Sequence, residues 1–469
     1  MASEKIKGLI CVIGGIILHL FLGCFYLWGN IQVYITSYLH KHDPSITLED
    51  TNVVFVLLNL GQTLSMPIGP LLFDYLPVQL IFIIGASISI GGVFISSFVT
   101  NLYLYELMYP LCFGLGIGFC YMPAVMCGWE YFPQWKGAVT GSIIAGFGFA
   151  SFIFGFVSIA ITNPDGEQAE LKVAGGKIFS TESPVSSNAP SMLRIMCGIW
   201  CVFLILALLM IHRNTASLVP QIPISSARMH SNDVALTSMA EQAQDTSNSD
   251  YSNEPTLGEA LRDYRVYYLY AAMFLASSFP YFIASSFKTY EQIDLHDDRF
   301  ITLVGSLGAV TNGLSRGVWA TLMDFIGYKK VVMGLLTLEI IIAFTFVAVH
   351  EVKTLYLIWV LASFSILGGQ FATLPTLCGK IFGLHTGGKI FTIIFSTFLI
   401  VSFANYIFAT MEARGYIEYS TLFYILGLMA TAALCMIFFL DVSPHVKTLS
   451  SKDHDKQRND NKIEEQLVD

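Results

Sequence analysis

Three ionisable side chains, Arg316, His19 and Glu339, stand inside long apolar runs, where each needs a partner, a wet cavity or a ligand to offset its burial. Arg316 precedes Asp324 by eight residues, about 12 Å along a helix and so near the middle of a hydrocarbon layer roughly 30 Å thick. Its planar guanidinium can hold a carboxylate through two parallel hydrogen bonds. Asn312, one turn away on the same face, can add an amide. His19 carries a ring that exchanges a proton near neutrality. Glu339, nine residues beyond Lys330, is a second candidate proton carrier. Tyr121, Tyr26 and Trp28 offer aromatic walls, and the tyrosines hydroxyl donors, for a small cavity. Each residue also has a plain structural use: an ion pair for Arg316, packing for the histidine and the aromatics, scaffold for Glu339.

Other chemistries lack their residues. There is no nucleophile–base pair, HExxH helix or phosphate-binding GxxxxGK[ST] loop, which argues against an enzyme and against ATP-driven pumping. The nine cysteines all lie in apolar stretches without a CxxC pair or a Cys/His cluster, so no metal and no cofactor are expected. Net charge is −9, with the acids concentrated outside the apolar runs and no basic stripe, which sets nucleic acid aside.

The elements that position these residues are membrane helices. Of 469 residues, 54% are hydrophobic and 13% charged, and mean hydropathy is +0.62, whereas a soluble domain carries about a quarter charged residues. Apolar runs of spanning length, roughly 20 residues each, recur near 8–36, 52–73, 78–99, 103–127, 137–162, 192–212, 264–287, 300–322, 329–349, 354–379, 388–410 and 418–440. The first run is far longer than a signal-peptide core of about 7–15 residues and reads as the first span. A polar stretch over 163–190 falls between the fifth and sixth spans. Residues 213–262, rich in Ser, Asn and Asp, and the charged tail 443–469 have the composition of disordered segments. Lys5, Lys7, Lys136, Arg213, Lys329, Lys330 and Lys380 place both termini and the linker in the cytoplasm. Lys172, Lys177, Arg194, Lys288, Arg299 and Arg414 on the other side temper that bias. The bilayer is thus one partner; which membrane it is cannot be read.

The chain is also duplicated. Phe73-Asp74-Tyr75 recurs as Met323-Asp324-Phe325, Cys127-Gly128 as Cys378-Gly379, and Gly137 as Gly388, at offsets of 250 and 251. Two parallel six-helix halves, 1–212 and 263–442, follow from that spacing. Gly137, Gly141, Ala145 and Gly148 form a flat stripe that lets another backbone approach.

Tyr131-Phe132-Pro133-Gln134-Trp135-Lys136-Gly137-Ala138-Val139-Thr140-Gly141, with Ala145-Gly146-Phe147-Gly148, Gly114-Leu115-Gly116-Ile117-Gly118 leading to Tyr121, and Asn312 through Arg316 to Asp324 and Gly327, resembles the oxalate/formate antiporter family of the major facilitator superfamily, kin of the monocarboxylate transporters. The resemblance implies an all-α membrane protein of twelve helices in two six-helix bundles around one alternately exposed site. It implies that Arg316 engages a substrate carboxylate, and that Asp74 and Asp324 are gating acids facing a helix N-terminus and basic partners. The second copy keeps Gly327, Lys329 and Lys330 of that gating motif, while the first, Asp74 to Gln79, lacks its basic residues. In the oxalate carrier a lysine of helix eleven supplies a second cation; here Ser396 to Phe398 stand in its place, so a single carboxylate is the more economical cargo. The expected function is secondary transport of small organic anions, monocarboxylates first, coupled to a proton or a counter-anion. A carrier of another carboxylate such as an amino acid, and a non-transporting sensor, are the alternatives.

Overall fold

The structure is a computed structural model that describes residues 2–214, 254–291, 298–349 and 352–445. Most of the linker and tail, and with them their expected disorder, lie outside the described residues. Lys288 belongs to the described backbone but not to the described side chains.

Among the described residues eleven helices are long and apolar enough to cross a membrane: α1 (Glu4–His42), α2 (Asp50–Leu72), α3 (Val78–Ser96), α4 (Leu102–Tyr131), α5 (Pro133–Thr162), α6 (Pro184–Met210), α7 (Tyr264–Phe287), α9 (Tyr328–Val349), α10 (Lys353–Ile381), α11 (Leu384–Glu412) and α12 (Tyr419–Phe439). The twelfth, α8 (Asp298–Ile326), has 29 residues and ample length. It is less apolar because it carries Asn312, Arg316 and Asp324. Twelve helices in two sets of six are therefore present where the sequence places them.

Boundaries shift where local chemistry intervenes. The first helix runs beyond the expected 8–36 and tightens to a 3₁₀ turn over Gly23–Leu27. A Cβ at Gly23 would fall 2.6 Å from the Phe147 Cα of α5, so the missing side chain is what lets the two backbones meet there. In α4 the turn Leu107–Leu111 widens around Pro110, which has no N–H to give the ladder. The 163–190 stretch is not all loop: β1 (Leu171–Val173) pairs antiparallel with β2 (Gly176–Ile178). Helix α6 then starts at Pro184, eight residues ahead of the expected 192, behind a Ser183 side-chain cap that accepts from the Val185 N–H.

Chain ends are tied to helix ends. The buried Glu130 carboxylate at the end of α4 accepts from Arg213 Nε (3.0 Å) and Nη2 (2.9 Å) and from the Asn214 N–H, while Arg213 Nη1 donates to the Phe73 carbonyl. Removing the cation strands a buried charge. Arg213→Ala is expected to cost about 1–3 kcal/mol, read as a lower unfolding temperature in detergent; an unchanged temperature contradicts it.

Candidate functional site

The halves meet along α5 and α8, and the glycine stripe of α5 makes that contact. A Cβ at Gly141 would lie 2.6 Å from the Arg316 carbonyl oxygen, and one at Gly148 2.5 Å from the Gly313 Cα. Gly137 sits equally hard on the Ala320 carbonyl. The stripe is packing, as its spacing implies, but the partner is the other half of the molecule.

Beside this seam is a small cavity that Arg316 enters from α8. The guanidinium is 1% exposed. It donates to Asn312 Oδ1 from Nε (3.2 Å) and Nη2 (2.9 Å), and its carbon lies 5.0 Å from the Phe371 ring centre and 5.5 Å from that of Phe147. The hydroxyls of Tyr26 and Tyr121 reach its edge. Among the described residues no carboxylate pairs with it, so the cation is buried without the ion pair that structural use would require.

Tyr26, Tyr121 and Arg316 line the cavity, with Phe25, Phe147, Phe371, Phe395 and Phe398 as its apolar walls. Among the described residues that line the cavity, Arg316 is the one cation. Asn312, expected to add an amide to the substrate, does not line the cavity. Its Oδ1 accepts from Arg316 and its Nδ2 donates to the Phe364 carbonyl at 3.1 Å, so both ends of the amide are engaged. Close approach of α10, where a Cβ at Gly368 would meet the Asn312 carbonyl at 2.6 Å, holds that bond in place. Trp28 does not line the cavity; it packs on Tyr109 with ring centres 5.6 Å apart. The reason is geometric: residues two apart sit about 200° around a helix, so Trp28 and Tyr26 cannot face the same way.

His19 is fully buried one layer behind the cavity, its ring 4.9 Å from that of Tyr121. Its Nδ1 lies 2.9 Å from the Gly15 carbonyl, which only accepts, so that nitrogen carries the hydrogen and Nε2 is left an acceptor without a partner. Glu339 lies elsewhere, inside the C-terminal half. Besides the phenylalanines, three polar cavity residues escaped the sequence reading: Asn59, Gln62 and Tyr281. Asn59 and Gln62 stand three apart in an apolar span, the same signal of a polar group at depth that singled out Arg316.

At the end of the bundle that carries both chain termini, the two acids of the repeat bind across the seam. Asp324 accepts from the Gly137 and Ala138 N–H groups at 3.1 and 2.8 Å and from Lys380 Nζ at 2.9 Å, a carboxylate on a helix N-terminus. Its basic partner is thus Lys380 rather than the nearby Lys329, which donates to the Phe438 carbonyl. Asp74 lacks basic residues in its own loop but receives them from α11: Lys389 Nζ donates to it, and His385 Nδ1 lies 3.3 Å away. Burial pushes the Asp74 carboxyl up, yet the His385 and Lys389 hydrogen bonds outweigh it and hold the group at about 2. A carboxylate depressed in this way keeps its contribution above the ordinary 3.8 and loses it only as pH falls through about 2. Glu254, where the linker returns, caps the α11 N-terminus through the Leu384 and His385 N–H groups at 2.6 and 3.1 Å.

The family model of the Major Facilitator Superfamily matches residues 265–464. Apicoplast pyruvate carrier 1 of Toxoplasma gondii is 24% identical over 512 aligned residues, covering 97% of this chain and 93% of that one. Monocarboxylate transporter 12 of Homo sapiens is 27% identical over 117 residues, a quarter of this chain (25%) and 23% of the relative. A solved structure of the proton:xylose symporter XylE with bound 6-bromo-6-deoxy-D-glucose superposes at TM-score 0.64 over 93% of this chain and 95% of the symporter, with 15% identity.

Proposed function

We propose that this chain, a carrier of the major facilitator superfamily related to the monocarboxylate transporters, moves small monocarboxylates across its membrane by alternating access. The observation that carries the reading is Arg316: a buried guanidinium at the seam of the halves, with no acid beside it among the described residues and a small, mostly aromatic cavity in front. One planar cation binds one carboxylate. Tyr26 and Tyr121 supply hydroxyl donors to the same oxygens, and the phenylalanines suit a short apolar remainder. Asn59, Gln62 and Tyr281 face a polar substituent at its far end. Asn312 holds the fork, and His19 supports Tyr121 from behind. A relative whose name is pyruvate carrier, aligned nearly end to end, supports the same substrate class.

Alternating access needs a seam that opens at one end while it closes at the other. The latches of Asp74 and Asp324 close the end bearing the termini, on our reading the cytoplasmic one. Asp74→Asn weakens the contact with His385 and Lys389, and is expected to raise labelling of a cysteine placed at Gln62 by a reagent applied from the cytoplasmic side about tenfold, the effect of roughly 1.4 kcal/mol. Unchanged labelling contradicts the gating role.

The direct test is uptake into proteoliposomes holding the purified protein. Labelled pyruvate or lactate is expected to enter and to be competed by other short monocarboxylates but not by the corresponding amides. Competition by the amides as strong as by the acids contradicts a carboxylate site. Protease added from one side should cut linker and tail together; cleavage from opposite sides overturns the topology.

A further inference from the structure

A second buried ionisable group lies apart from the central cavity. Glu339 is 0% exposed and eleven residues into α9 from Tyr328, about 16 Å along the helix and so near mid-membrane. Its Oε2 accepts from Gln370 Nε2 at 3.1 Å, and its Oε1 has no partner among the described residues. Gln370 is otherwise saturated: Nε2 also donates to the Ala276 carbonyl at 2.9 Å, and Oε1 accepts from Ser277 at 3.0 Å. A second small cavity begins where α7, α9 and α12 end on the side of the chain termini, at Leu269, Tyr328 and Ile437, and reaches inward to Gln370. On α9, Tyr328, Val332 and Glu339 share one face by their spacing of four and seven; Glu339 lies beyond the residues that line this cavity and meets them through Gln370.

We propose that Glu339 is a proton-binding site of the C-terminal half, loaded and unloaded through this second cavity rather than through the carboxylate site. Ionised, the carboxyl would be a charge at mid-membrane with a single donor; protonated, it needs only the Gln370 bond and one acceptor, and a water from the cavity can serve Oε1. The described charged side chains of the helices packed on α9 are engaged elsewhere. Arg265 of α7 is with Asp263, Arg316 of α8 with Asn312, and Asp324 of α8 with Lys380 of α10; Lys353 of α10 lies over the Phe300 ring. Of the neutral titratable groups, Tyr281 of α7 meets Ser402, Tyr356 of α10 donates to the Phe287 carbonyl, Tyr419 of α12 packs on Phe423, and Cys378 of α10 faces Tyr328. Among the described residues no charged group neighbours the Glu339 carboxyl, and Gln370 makes the one hydrogen bond to it.

Helix α10 links this site to the other. Gln370 bonds Glu339, while the next residue, Phe371, lines the central cavity against Arg316. A proton gained or lost at Glu339 thereby acts on the wall of the carboxylate site, and a carboxylate on Arg316 with a proton on Glu339 cross together without net charge. The inference rests on the monocarboxylate reading for what is co-transported, not for the proton site.

Glu339→Gln keeps the acceptor for Gln370 and fixes the neutral form. Its expected phenotype is exchange of labelled carboxylate near the wild-type rate, with loss of the roughly tenfold accumulation that one pH unit can drive. Accumulation driven by the pH gradient as in the wild type overturns the proposal. Should this variant not reach the membrane, infrared difference spectra of the wild-type protein across a pH titration decide the matter. A carboxylic acid carbonyl band that titrates, and is absent from Glu339→Asp at the same frequency, supports the site; no such band overturns it. Failure of the monocarboxylate reading would show separately, as no exchange in the wild type while the infrared band still titrates.

Discussion

Arg316→Lys is expected to lower carboxylate transport about ten- to hundredfold while the protein still folds and inserts. Lysine keeps the charge but not the planar fork that grips both oxygens. Losing a charge-assisted hydrogen bond costs roughly 1.5–3 kcal/mol of binding, which sets that range. Lysine also has no Nε beside its charged head to meet Asn312 Oδ1, so the amide that positions the fork at 3.2 and 2.9 Å loses half its purpose. Arg316→Ala should be worse, since the cavity then holds no cation. Folding is expected to survive because Arg316 has no ion pair to strand among the described residues, unlike Glu130 with Arg213. Uptake by Arg316→Lys at the wild-type rate would make the arginine a packing element.

The second large effect is expected at Gly141. A valine there must place its Cβ 2.6 Å from the Arg316 carbonyl oxygen and 2.9 Å from the Gly317 Cα, contacts with backbone that no rotamer relieves. Overpacking of this kind costs about 1–3 kcal/mol, a five- to 150-fold shift in population. It falls on the state in which α5 lies against α8. Gly141→Val is therefore expected to hold the halves apart and stop turnover while each half stays folded, read as loss of transport with a preserved circular dichroism spectrum. Gly91→Ala, where a Cβ meets nothing within 4 Å, is the control and should transport normally. Wild-type turnover in Gly141→Val would mean that α5 and α8 need not close.

What the sequence makes legible follows from how lipid constrains a chain. A helix must satisfy its own backbone in the bilayer, so spans announce themselves by length, and even α8, the least apolar of them, shows as an apolar run over 300–322. Arg316 is legible for the same reason, because a cation at depth stands out against leucine and valine. The glycine stripe could be read as a close contact but not assigned a partner, since nothing in residues 137–148 says that Gly313 and Arg316 lie opposite. Asn312 looked like a second ligand because it shares a face with Arg316; only the geometry shows its amide spent on the fork and on Phe364. Trp28 was misplaced by reading proximity in sequence as proximity in space, across a 3₁₀ turn. The Asp74 latch was undervalued because its bases come from His385 and Lys389, more than 300 residues away in the chain, a distance at which local motif reading has no purchase.

The claim on which the rest depends is that Arg316 binds the carboxylate of the substrate. Titration calorimetry of the purified protein with pyruvate and with pyruvamide, on the wild type and on Arg316→Ala, tests it without the complications of turnover. The account predicts binding of the acid to the wild type, binding weaker by at least about tenfold for the amide, and no such preference in Arg316→Ala. Equal binding of acid and amide by the wild type, or the same preference for the acid after Arg316 is removed, would contradict it.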